Sequence, residues 1–134
     1  MDIDSQDLEL VDIASELVRP EQAPGGMVSE VGCALKTKDG NIYKGVCMHL
    51  VCGLGFCAEH TAIATAITNQ GLFEIDTIVA VNSFGVIPPC GRCRELINDI
   101  SPSGSEAMII VSETEKVELS ELLPRPWNPK DSLT

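Results

Sequence analysis

Three cysteines constrain this chain more than any other feature. Cys57 stands just before an alanine-rich helical pattern, and Cys90 and Cys93 form a C-x-x-C at the start of another, 33 residues later. For the three sulfurs to serve one purpose, two helix N-termini must converge on one point. Six cysteines in 134 residues also invite a disulfide reading. That reading needs an oxidising compartment, and the acidic start Met-Asp-Ile-Asp lacks the basic and apolar blocks of a secretory leader. Metal binding or buried thiols, in a cytoplasmic protein, are therefore expected. Cys33, Cys47 and Cys52 are scattered and are expected to be small buried hydrophobes.

Periodicity places these cysteines among the elements. Residues 5–19 carry Leu8, Val11, Ala14, Leu17 and Val18 at helical spacing and stop before Pro20. Residues 20–26 read as a turn-rich connection. Two β-like runs, 31–37 and 41–49, flank Lys38-Asp39-Gly40, and Asp-Gly between apolar runs signals a hairpin. Residues 57–70 read as a helix capped by Gly71; its alanines, Ile63 and Ile67 predict that it is largely buried. A short strand at 77–81 leads into an irregular loop ending at Pro88-Pro89. A helix over 91–100 then shows Cys93, Leu96, Ile97 and Ile100 on one face, and 108–112 reads as a buried strand. A short element at 119–123 precedes an irregular end containing Pro124, Pro126 and Pro129. The order helix, β, β, helix, β, helix, β is α/β. The first strand pair is expected to be antiparallel and the later, helix-separated strands parallel, in a mixed sheet sandwiched by helices. The length suits one domain, 1–134.

Zinc takes four ligands and favours thiolate sulfur. Cys57, Cys90 and Cys93 supply three, at helix starts whose partial positive charge favours the thiolate form. A structural site closes the fourth position with another Cys or His, whereas a catalytic site leaves it to water. His49, Cys52 and His60 are the candidates for closing it; His60 is disfavoured because it is rotated by roughly 300° from Cys57 along the helix. Glu59, two residues after Cys57, either favours the helix dipole or, beside an open metal position, shuttles protons.

Cys57-Ala58-Glu59 followed by Pro89-Cys90-Gly91-Arg92-Cys93 resembles the signature of the cytidine deaminase superfamily, including its three-cysteine variant. The resemblance runs from about Val31 to Trp127, and Cys90-Gly91-Arg92-Cys93-Arg94 looks especially like the small blasticidin-S deaminases of that group. It implies a three-layer α/β/α sandwich with a mixed five-stranded sheet, one Zn²⁺ per subunit, and a homotetramer. It also implies that Glu59 moves protons between water, a ring nitrogen and the departing amine of a small substrate. Three thiolates on Zn²⁺ leave a net negative charge that opposes acidification of water. Arg92 is expected to offset it, with Arg94 as a second candidate.

The second strand departs from the pattern. Small cytidine deaminases carry Asn-x-Glu there for the ribose hydroxyls. This chain offers Cys47 and His49 if the strand aligns from Gly45, or Val46 and Met48 if counted back from Cys57 without a gap. Either way both polar contacts are missing or altered, so weak or no activity on plain cytidine is expected, with another amino-heterocycle as substrate. Cys47, His49, Ala58 and Trp127 are the candidate substrate contacts. A net charge of −11 would repel a phosphate backbone, so no nucleic-acid partner is expected, and no apolar run suits a membrane. The competing reading is an inactive, zinc-stabilised binding or assembly module of the same fold.

Overall fold

A computed structural model describes residues 1–128; Pro129, read above as part of an irregular end, lies outside them. The chain begins with α1 (Ser5–Glu16), whose start is a capping box: the Asp7 N–H donates to the Asp4 carboxylate and the Asp4 N–H to that of Asp7, each at 2.9 Å. Lys116 donates to the buried Asp7 from across the fold at 2.7 Å. The strands are β1 (Glu21–Ala23), β2 (Gly26–Thr37), β3 (Ile42–Leu50), β4 (Ile75–Asn82), β5 (Gly85–Ile87), β6 (Met108–Ile110) and β7 (Lys116–Glu118). The remaining helices are α2 (Ala58–Gln70), α3 (Gly91–Ile100) and α4 (Leu119–Leu122).

One mixed sheet holds all seven strands. Five run in the order β3-β2-β4-β6-β7, while β1 and β5 attach to β2 and β4 as short antiparallel additions. The expected antiparallel first pair is β2–β3 and the expected parallel pair is β4–β6. The five-strand expectation needs correction to seven. Three-residue strands such as β1 and β5 are too short to show alternation and exist because a neighbouring main chain accepts them. For the same reason the stretch 20–26 holds β1 and the start of β2, and the irregular loop before Pro88 holds β5.

Strand alternation builds two cores. On one face Cys33, Leu35, Ile78 and Ile109 pack against Ala58, Ala62, Ile63 and Ala66 of α2 and Ile97 of α3. On the other, Ala34, Val79, Val81 and Ile110 pack against Leu10, Val11 and Ala14 of α1. Leu8, expected to face this core, is 51% exposed, and Leu10 takes the buried place. Helix α2 is also less buried than its composition predicts. Ala58, Ala62, Ile63 and Ala66 form its covered stripe, and Ile67 lies on the open side.

Two glycines let the helices close on the sheet. A Cβ at Gly32 would stand 2.4 Å from the Ala14 carbonyl oxygen of α1, and one at Gly45 would stand 2.6 Å from the Ala62 nitrogen of α2. Thr61 of α2 also donates to the Val46 carbonyl at 2.7 Å. The α2 N-terminus is thereby held against β3. Among the described residues no helix is long and apolar enough to cross a membrane.

Candidate active site

Cys57 and Cys90 are the residues that cap α2 and α3. Both have extended backbone, with φ −71° and −69°, and neither side chain caps its own helix. Their sulfurs are free to face one another, at 3.5 Å. Cys93, one turn into α3, is fully buried and completes the group. The three Sγ atoms lie within 4.8 Å of one another. Tetrahedral zinc, with bonds of about 2.3 Å, separates its sulfurs by about 3.8 Å, close to the 3.5 Å between Cys57 and Cys90 and inside the 4.8 Å within which all three atoms lie. The donor set therefore fits zinc.

Electrostatics gives the same answer. Burial drives the Cys93 thiol far above its usual range, and Glu59 and Cys57 push it the same way. Burial also raises Cys57, with Cys90 adding to the effect. Burial acts upward on Cys90 too, but the Cys93 backbone and the two neighbouring thiols outweigh it and bring Cys90 below its usual range. Three thiolates cannot share this space without a cation, and a divalent metal is what ionises them together.

Among the described residues nothing closes a fourth position. Cys52 is exposed on a 3₁₀ turn with φ +59°, so it is not the buried hydrophobe expected. His60 stacks on Phe56 at 5.5 Å, with its buried Nδ1 unpartnered. Burial, and secondarily Arg92, hold the His60 imidazole below its usual range. His49 lies on the strand side of the site.

A cleft of about 340 Å³ opens over the sulfurs. Cys57, Ala58, Glu59, Cys90 and Arg92 line it from the helix side, and Val31, Cys47 and His49 from the strands. Glu59 is only 5% exposed. Burial raises its carboxyl above the usual range, against the opposing pull of its own backbone N–H and the Cys93 thiol. A proton carrier near neutrality needs that direction of shift.

The structure thus brings together Cys57, Cys90, Cys93, Glu59, Ala58, Arg92, Cys47 and His49. It does not bring in Arg94 or Trp127. Arg94 donates to the Pro89 carbonyl at 2.8 Å and the Leu122 carbonyl at 3.2 Å, bracing the turn before Cys90. Trp127 is 85% exposed, and its N–H is held by Glu95 of α3 at 3.1 Å, so within one chain it covers no ring. Cys47, Met48, His49 and Leu50 at the end of β3 all line the cleft, so members of both alignments reach it. Sequence reasoning missed Val31, whose N–H donates to Cys47 Sγ at 3.2 Å, and Glu30, whose Oε1 lies 3.3 Å from His49 Nδ1.

Comparison with known proteins agrees with this geometry. The family model for the cytidine and deoxycytidylate deaminase zinc-binding region matches residues 4–111. The chain is 36% identical over 132 residues to blasticidin-S deaminase of Bacillus cereus, covering 91% of this chain and 92% of the relative. It is 29% identical over 105 residues to cytidine deaminase of Halalkalibacterium halodurans, covering 76% and 80%. The crystal structure of cytidine deaminase from Mycobacterium tuberculosis superposes with a TM-score of 0.79 at 26% identity, covering 92% of this chain and 98% of the other. The chain belongs to the cytidine and deoxycytidylate deaminase family of zinc-dependent hydrolases.

Proposed function

We propose that this chain, acting as one domain over 1–134 in the cytoplasm, releases ammonia from an aminopyrimidine-type nucleoside or related amino-heterocycle, with plain cytidine a poor substrate. One observation carries the reading: a buried carboxylate, Glu59, lies beside three converging sulfurs at the floor of an open cleft. Cys57, Cys90 and Cys93 would hold one zinc ion. Bound there, zinc supplies a Lewis acid that makes water nucleophilic near neutral pH.

The chain's own residues supply the rest. The cleft seats the ring with its amino-bearing carbon over the sulfurs, and water adds to that carbon. Glu59 takes the proton from the water and hands it to the adjacent ring nitrogen. It then takes the second proton from the hydroxyl now on that carbon and delivers it to the amine; as the carbonyl forms, the C–N bond breaks and ammonia leaves. Arg92 offsets the negative charge of the three thiolates. Whether Cys47 and His49 or Val46 and Met48 take the places of the hydroxyl-binding amide and carboxylate of small cytidine deaminases, neither pair reproduces them, which supports a shifted substrate.

The test is ammonia release from cytidine, deoxycytidine, cytosine, blasticidin S and other amino-heterocycles. At least one should be turned over, and Glu59→Gln should lower that turnover by about a thousandfold while zinc content stays at one per chain. Turnover of none, by zinc-loaded protein, would favour the inactive module. Val51, Leu54, Leu72 and Phe84 are all exposed in the single subunit. That apolar surface supports a homotetramer, which sedimentation equilibrium should show at four times the chain mass.

A further inference from the structure

The two capping cysteines are held in different ways. The carbonyl just before Cys57, that of Phe56, accepts from the Met48 N–H at 3.0 Å, so the sheet itself fixes the approach to α2. The carbonyl just before Cys90, that of Pro89, accepts from a side chain instead. Nε of Arg94 donates to it at 2.8 Å. Proline has no N–H to contribute to a ladder, and residues 88–90 belong to no strand or helix.

Arg94 also grips Cys90 from its other side, where the Arg94 backbone N–H donates to the Cys90 carbonyl at 3.0 Å. Both peptide units that flank Cys90 therefore rest on one residue, and those two units set its φ of −69° and ψ of 169°. Rotating either would swing the Cys90 sulfur away from Cys57 and Cys93. The guanidinium is itself tethered. Its Nη1 donates at 3.2 Å to the carbonyl of Leu122, the last residue of α4. That helix is anchored in turn, because the Leu119 N–H donates to the Ala107 carbonyl at 2.9 Å and the Leu119 side chain is buried. The chain then runs back along α3. The Trp127 N–H donates to Glu95 at 3.1 Å, and Asn98 donates to the Asn128 carbonyl at 3.1 Å. A planar fork with donors at fixed angles holds two carbonyls at a set separation, which a single flexible ammonium does not.

We infer that Arg94 is a positioning residue for the metal centre: it ties the C-terminal segment 122–128 to the peptide before Cys90, and so sets how firmly the three cysteines retain their ion. It acts through the main chain and does not line the cleft. This rests on zinc at Cys57, Cys90 and Cys93 and is independent of the substrate. The segment beyond α4, which carries no ligand sulfur, becomes part of the support of the site.

Zinc release from the full chain into excess coloured chelator tests this. Arg94→Gln should release zinc about tenfold faster than the parent, the scale on which groups that orient metal ligands act. Arg94→Lys, whose ammonium holds one carbonyl and not both, should release it roughly threefold faster. Glu95→Ala cuts another tie between α3 and the same segment. It should stay within about twofold of the parent, whatever it does to the urea midpoint of the metal-free protein. In cobalt-loaded protein the sulfur-to-metal charge-transfer band should shift in Arg94→Gln and stay in place in Glu95→Ala, a signature that lost stability alone does not produce. Parent-like release or an unshifted band in Arg94→Gln, or equal acceleration in Glu95→Ala, would overturn the inference. If Arg94→Gln does not fold, Arg94→Lys decides by the same two readings; its own failure to fold would mark Arg94 as a requirement of the core and overturn the inference too. A parent chain that takes up no zinc would refute the metal site and this inference together. Ammonia release is scored separately, and its absence from zinc-retaining parent protein would refute the deaminase reading alone.

Discussion

The two walls of the cleft are built on different principles. The helix wall, from the starts of α2 and α3, carries Cys57, Glu59, Cys90, Arg92 and Cys93 within two short stretches of chain. Each position follows from local geometry: two capping residues with free side chains, a cysteine one turn further, and a carboxylate at the second helical position. The strand wall, from β2 and β3, carries Glu30, Val31, Cys47 and His49, which meet only through a bulge and a pairing register. On the proposed function, local helix geometry would set the reaction and tertiary pairing would set what is admitted to it. Altering one wall should leave the other's property intact.

The largest effect should come from the helix wall. Cys93→Ala removes the fully buried sulfur, and zinc should fall from one per chain to a small fraction by elemental analysis. Turnover should fall by on the order of 10⁴-fold or more. Retention of zinc and of most activity would break the comparison at its foundation.

A smaller and opposite effect is expected on the strand wall. Cys47→Asn with His49→Glu places an amide and a carboxylate on the face of β3 that lines the cleft. Cytidine kcat/KM should rise by about tenfold through KM, with zinc content unchanged. A change confined to kcat would show that the walls are not separable.

The smallest effect is a pH dependence of stability in metal-free protein. Burial raises the Glu59 carboxyl above its ordinary value. Between the two values the unfolded chain has released a proton that the fold still holds, so folding stability declines as pH rises through that window. Below the ordinary carboxylate value the full stability is retained. Urea unfolding at a series of pH values should show this slope, and Glu59→Gln should flatten it.

The sequence made the helix wall legible and left the strand wall half hidden. The C-x-x-C, the cysteine before the alanine-rich run and the Asp-Gly hairpin are local signals, and the helix expected over 91–100 is α3 residue for residue. The patterns mark β2, β3, β4 and β6 and the antiparallel and parallel pairs among them, but β1, β5 and β7 are each three residues long and depend on partners. The bulge left no mark because Ser29, not a glycine, holds the positive φ. Glu30 lies 19 positions from His49, and only strand register joins them. Arg94 is a second candidate beside Arg92 by sequence because spacing does not show that the Pro89 and Leu122 carbonyls already engage it.

Gly45 sits at the seam of the two walls, where any side chain would strike Thr61 and Ala62 of α2. It sets how closely β3 and α2 approach. On the proposed function, a lineage of such proteins would explore new substrates at Cys47 and His49 while inheriting the reaction, provided this one position stays bare. In laboratory evolution of the cleft, residue 45 is the one to leave out of the library.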